Sequence, residues 1–162
     1  MRILLLLALV LGLASCGQSK FKRYKGPEIT SVLVDKSDRK MLLFHQTKVL
    51  KVYKVDFGRS PAGHKQFEGD GKTPEGTYFI DRRNPNSSFH LSLGISYPNA
   101  ADRAYAEAQG KSPGGDIFIH GRGPLFQTAK GDWTEGCIAV TDKQMEDIYA
   151  MVKDGTPIFI RP

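Results

Sequence analysis

Cysteine is nearly missing from this sequence, with two residues in 162, Cys16 and Cys137. A framework of structural disulfides is therefore excluded, and the fold must rest on apolar packing. Long apolar runs are equally scarce. The longest, Ile3 to Leu13 with Gly12 inside it, falls short of the roughly 20 residues that a membrane-spanning helix needs. Charge of one sign is nowhere concentrated. The 23 Lys and Arg residues outnumber 17 Asp and Glu for a net +6, but they are scattered. No RNP-like or helix-turn-helix pattern accompanies them, so nucleic acid is not indicated. The surplus supports only an acidic substrate or envelope surface. The four histidines, His45, His64, His90 and His120, contain no pair at the i, i+4 spacing of a helical metal site. No metal or other cofactor is expected. Nor is there an internal repeat or a second domain.

What is present begins at the N-terminus. Met1-Arg2 precede the apolar run and Ala14-Ser15-Cys16 follow it. One positive charge, an apolar stretch and small residues read as an export signal. Leu13-Ala14-Ser15-Cys16 also resembles the lipobox of bacterial lipoproteins, which implies cleavage before Cys16 and lipidation of that cysteine. Residues 1–15 are then the signal peptide, and the polar, basic stretch 16–28 is a tether. An ordinary signal peptide with a coincidental cysteine is the alternative. Gly17, where an Asp often retains such proteins in an inner membrane, implies an outer-membrane anchor. The expected location is the periplasm or cell envelope. Without the first 15 residues 147 remain, with a net charge of +5, enough for one domain with a substantial core. A monomer is expected.

From Ile29 the pattern is that of strands. Ile29–Val34, Lys40–Phe44 and Thr47–Val55 are apolar or alternating runs separated by Asp35-Lys-Ser-Asp38 and His45-Gln46, which predicts an antiparallel meander. Alternation in the third run places Val49, Tyr53 and Val55 on one face and Leu50 and Val52 on the other. Asp56–Gly76 is glycine-rich with few large apolar residues and predicts a long loop of functional character. Thr77–Ile80 restores a strand. Phe89–Leu93 alternates with period two, which sets His90 and Ser92 opposite Phe89, Leu91 and Leu93. Ala100–Gln109 predicts a short helix capped by Asn99 and stopped by Gly110. Thr141-x-x-Gln144 is a capping box, and Met145, Ile148, Tyr149 and Val152 share one helical face. Gly155 fits the position just past that helix, and Pro157–Arg161 is a final strand. The class is mostly β (α+β).

The chemistry lies in DIFIHGRGPLFQTAKGDWTEGCIAV, residues 116–140. With Cys16 used as the anchor, Cys137 is the one thiol of the mature domain. An unpaired cysteine in an oxidising compartment has no structural disulfide to make and is a reactive-thiol candidate. His120 closes the apolar run Ile117–Ile119, and an imidazole is what a protonated thiol needs to become a nucleophile. Gly136 permits close backbone approach, and N–H groups beside Cys137 are candidate oxyanion donors. The helix after Cys137 has a positive end that would favour a thiolate if geometry brings the two together.

His120-Gly121 and Thr134-Glu135-Gly136-Cys137, with sixteen residues between His120 and Cys137, resemble the active-site signature of the L,D-transpeptidase catalytic domain family (YkuD type), and its short YafK-like branch in particular. Lys72-Thr-Pro-Glu-Gly-Thr-Tyr78 and Val152-Lys-Asp-Gly-Thr-Pro-Ile158 resemble flanking stretches of the same family, so the likeness covers residues 29–162. It implies a β-sandwich or barrel of mixed sheets with one or two short helices, and a peptidoglycan stem peptide as substrate. It also implies acyl transfer through a Cys137 thioester, with His120 as base and Gly121 orienting its ring. Gly136 lies by the oxyanion, and His90, Tyr97, Arg122 and Thr134 are expected to contact substrate. Two departures stand out: Glu135 replaces the usual His, and Ala139 the usual Arg or Asn. A carboxylate there is expected to disfavour a thiolate. Hydrolysis of stems or crosslinks, as carboxypeptidase or amidase, and a non-catalytic envelope-binding lipoprotein are the alternatives.

Overall fold

The computed structural model describes residues 19–162. The expected signal peptide 1–15 and Cys16 lie outside the described residues. The meander forms as three antiparallel strands, β1 (Ser31–Asp35), β2 (Lys40–His45) and β3 (Lys48–Lys54). The Asp35 carboxylate pins the first turn by accepting from Ser37 Oγ and Asp38 N, each at 2.8 Å. Val32 and Val34 of β1 and Met41 and Leu43 of β2 are fully buried. The alternation expected for β3 breaks at a bulge between Leu43 and Phe44, where Phe44 pairs with Val49 and Leu43 with Lys51. One extra residue in a strand exchanges its faces. Val49 therefore points outward and Leu50 packs against the core, while Tyr53 keeps its inward place.

Further along come β4 (Gly76–Asn84), β5 (Ser92–Ile95), α1 (Ala100–Ala108), β6 (Phe118–His120), β7 (Ile138–Ala139), α2 (Asp142–Met151) and β8 (Pro157–Arg161). Among the described residues the strands form one mixed sheet in the order β3-β2-β1-β8-β4-β5-β6-β7. The C-terminal strand is thus inserted centrally, parallel to β1 and antiparallel to β4. Along β4 the partner changes from β8 to β5 around a register shift near Ile80, and there the sheet curls. The curl brings the chain just after β3 to the far edge. Asp56 N donates to Ala139 O at 3.0 Å and Ala139 N to Asp56 O at 2.8 Å, which joins the two ends of the sheet.

Both helices carry reciprocal capping boxes, Asn99 with Asp102 and Thr141 with Gln144. α2 packs Met145, Ile148 and Met151 under β5 and β6. The stretch 16–28 expected as a tether is not free along its described part. Phe21 packs at 6.3 Å on Tyr149, and Lys22 pairs with Asp147 at 2.7 Å and Glu146 at 3.2 Å. No helix among the described residues is long and apolar enough to cross a membrane.

Candidate active site

β6 is the spine of the site. His120 pairs with Ser92 across the antiparallel β5 and with Ala139 across the parallel β7. Paired residues project from one face of a sheet, and a residue two places away along a strand projects with them. Ser92, His120 and Cys137, two residues before Ala139, therefore share a face. All three line one cleft of about 280 Å³, walled by Ser87, Ser88 and Phe89 and by Asp116 and Phe118. A second cleft of about 330 Å³, with Lys65, Glu68, Gly115 and Glu135 in its lining, reaches Cys137 from the other side of Asp116.

The turn before β7 sets the sulfur. Thr134 Oγ1 donates to Cys137 O at 2.7 Å and accepts from Gly136 N at 3.2 Å. Gly136 has φ +132°, and a Cβ there would stand 2.5 Å from Lys72 O. Only glycine fits both demands. The thiol donates to Asp116 O at 3.5 Å. Burial pushes the Cys137 pKa up to about 11; Phe118 N–H works against this, the Asp116 carboxylate with it, and the Lys65 ammonium against it. The resting sulfur is a thiol.

His120 is buried. Its Nδ1–H donates to Gly121 O at 2.6 Å, which leaves Nε2 as the lone-pair nitrogen. Phe89 lies over the ring at 4.4 Å between centroids, and Trp133 meets its edge at 5.6 Å. Phe126 stacks on Trp133 at 4.8 Å. Desolvation in this aromatic enclosure lowers the His120 pKa, partly offset by Gly121 O and by the Asp142 carboxylate. At neutral pH the imidazole is therefore unprotonated and can accept the thiol proton. A neutral base and a neutral thiol lining one cleft with serine residues is an arrangement for nucleophilic attack on a carbonyl.

The family model for the L,D-transpeptidase catalytic domain (YkuD) matches residues 29–160. The chain belongs to this family. The protein named "Putative L,D-transpeptidase YafK" of Escherichia coli strain K12 is 30% identical, covering 94% of this chain and 60% of YafK. Among solved structures, the helical cell shape determining protein Pgp2 of Campylobacter jejuni aligns with TM-score 0.64 and 27% identity, over 90% of this chain and 52% of Pgp2. Bd1075 of Bdellovibrio bacteriovorus aligns with TM-score 0.60 and 26% identity, over 87% and 50%. The chain thus spans between half and about three-fifths of the length of these relatives.

Within this L,D-transpeptidase domain the other expected site residues have partners in the protein itself. His90 is turned away from the cleft: its Nε2 meets Glu146 Oε1 of α2 at 3.0 Å. The period-two expectation fails here because His90 adopts φ +77° and β5 begins only at Ser92. The same kink carries Phe89 onto the Ser92 side. Tyr97 is buried, and its hydroxyl donates to Pro113 O at 3.0 Å. Arg122 pairs with Asp56 at 2.6 Å and donates to Ala129 O, which ties the loop after β6 to the sheet closure. Thr134 shapes the cysteine turn from a buried position. The N–H of Gly136 donates to Thr134 Oγ1. Glu135 faces solvent and pairs with Arg59 at 2.5 Å, so the carboxylate that raises the thiol is that of Asp116. The four histidines occupy four separate places, with His45 on Glu28 O and His64 on Asp102.

Phe89, Trp133, Ser92 and Asp116 escaped the sequence reading as site residues. Trp133 stands next to Thr134 and Asp116 opens the run that ends in His120, so adjacency to the motifs was their one signal. Asp116 is marked by its backbone, φ +54° in a non-glycine residue.

Proposed function

We propose that this domain cleaves and transfers the acyl group of a peptidoglycan stem peptide through a thioester on Cys137. The observation that carries the reading is the cleft lined by both His120 and Cys137, with Nδ1 of His120 fixed on Gly121 O and Nε2 left without a proton. In the first step Nε2 takes the Sγ proton as the sulfur bonds to the peptide carbonyl carbon. The Cys137 N–H is the backbone donor proposed for the oxyanion, since that of Gly136 is engaged. Collapse breaks the C–N bond, and His120 returns the proton to the departing D-amino acid amine. An acceptor entering by the second cleft then gives its proton to His120 and attacks the thioester, releasing the thiol. An amine makes a new crosslink, exchanges the D-amino acid or attaches a protein; water makes a peptidase. The alignment of Ser87, Ser88 and Ser92 along the first cleft suits a peptide backbone. We further propose that Cys16 carries a lipid that holds the domain at the cell envelope.

The test compares wild type with Cys137→Ala on disaccharide-tetrapeptide muropeptides and crosslinked dimers, read by mass spectrometry. New dimers or D-amino-acid exchange, absent from the variant, establish the transferase. Trimmed stems or lost crosslinks without new bonds make the domain a hydrolase. No Cys137-dependent product from any stem overturns the reading.

A further inference from the structure

We propose that Lys20–Lys22, upstream of the first strand, is a strap that positions the wall of the Cys137 cleft, with Lys20 as its positioning residue. Lys20 Nζ donates to Pro85 O at 2.6 Å and to His90 O at 3.1 Å. These carbonyls stand at the two ends of the loop between β4 and β5, the loop that supplies Ser87, Ser88 and Phe89 to the cleft. The loop lies outside the sheet ladder. Its backbone is held by local bonds, Asn86 N to Asn84 Oδ1, Phe89 N to Ser87 Oγ and Leu91 N to Phe89 O, and by one distant bond, Gly121 N to Leu91 O at 3.2 Å. His90 is held at φ +77°, a conformation that persists in a non-glycine residue only when its surroundings enforce it.

The enforcement is visible on the side away from the cleft. Glu146 of α2 receives His90 Nε2 on one oxygen at 3.0 Å and Lys22 Nζ on the other at 3.2 Å. Lys22 also reaches Asp147 at 2.7 Å, and Phe21 packs on Tyr149. The strap is thus seated on α2, and from that seat the Lys20 ammonium joins both ends of the loop by charge-assisted hydrogen bonds. The loop in turn presses Phe89 onto His120 at 4.4 Å. With Lys20 gone, the two ends of the loop lose their common tie. The His90–Glu146 contact, the Gly121 N to Leu91 O bond and the packing of Phe89 on Phe126 and Trp133 remain, and Phe89 shields the imidazole from water less completely. A segment far from the motif in sequence therefore sets the environment of the base.

The activity arm of the test rests on the function proposed above; the other arms do not. Lys20→Met and Lys20→Arg are compared with wild type in the full chain, with Lys25→Met as a control on an exposed lysine. In Lys20→Met, amide exchange at Phe89–Leu91 accelerates, and the His120 ring, followed by NMR, titrates closer to its ordinary value. Muropeptide turnover falls about tenfold in kcat, as expected for a slightly misplaced base. Lys20→Arg restores all three, and Lys25→Met behaves as wild type. Wild-type exchange and His120 titration in Lys20→Met overturn the proposal, even if turnover falls. If wild type turns over no muropeptide, the functional reading fails while exchange and titration still decide the strap.

Discussion

Gly136 joins two constraints at one atom. Its φ of +132° is foreign to other residues, and an added Cβ would meet Lys72 O at 2.5 Å. Relief would have to move the turn that carries the sulfur. Gly136→Ala is therefore expected to lower Cys137-dependent turnover by about 10²-fold or more, from a displacement near 1 Å, in a protein still folded by circular dichroism. Retained turnover would show that the turn tolerates the shift. Cys137 and His120 give a second expectation from their titration. With the thiol pushed up to about 11 by burial, the rate of iodoacetamide alkylation should rise about tenfold per pH unit from pH 7 to 9, without a plateau. A plateau near neutrality would instead reveal a preformed thiolate. The buried His120 has its pKa lowered from 6.5. Below that value the unfolded chain binds the additional proton, so the folded state loses stability as pH falls.

At the scale of elements, the part of loop 56–76 between residues 65 and 72 is gathered on one carboxylate. Asp70 accepts from Lys65 Nζ at 2.9 Å, Gln66 N at 2.8 Å, Phe67 N at 3.0 Å and Lys72 N at 3.0 Å. Burial alone would raise its pKa, but the Lys65 ammonium and the three backbone donors outweigh it and hold the group at about 2. A lowered carboxylate contributes stability above its ordinary pKa of 3.8 and loses it as pH falls through that range toward 2. Asp70→Asn, with one acceptor oxygen in place of two, should cost roughly 1–3 kcal/mol at pH 7. The difference from wild type in thermal unfolding should shrink toward pH 2–3; a pH-independent difference would refute the assignment. Because Lys65, Glu68 and Gly69 of this loop line the second cleft, the same variant should raise KM for the acceptor more than it lowers kcat.

For the molecule as a whole, the strap on α2 places the described N-terminal residues beside the wall of the Cys137 cleft. If Cys16 is lipidated, the chain expressed with its first 15 residues should fractionate with membranes and incorporate labelled palmitate. Cys16→Ser should then appear in the soluble fraction without label. Wild type that is soluble and unlabelled would leave an ordinary signal peptide as the explanation. The sheet closure belongs to this scale too. Arg122 with Asp56 and Arg39 with Asp132 clasp the loop after β6 to the meander, so the aromatic enclosure of His120 depends on residues that span most of the chain.

Local signals carried much of this protein. The meander, the helix cap at Asn99 and the capping box at Thr141, the strand ending in His120 and the glycine beside Cys137 were all legible, because each depends on residues two to four positions apart. Composition and motif spacing also placed the chain in a mostly β class and in its family. What the tertiary structure decided is non-local. The bulge opposite Phe44 turned Val49 outward, and the kink at His90 brought Phe89 to the site and sent the histidine to Glu146. Glu135, troubling beside the nucleophile in the sequence, is paired with Arg59, 76 residues away. Tyr97 and Thr134 spend their hydroxyls on backbone groups of the protein. Periodicity assumes an unbroken strand, and residue type does not reveal a partner. Bulges, positive φ angles and distant ion pairs arise only when the sheet curls and its ends meet at Asp56 and Ala139.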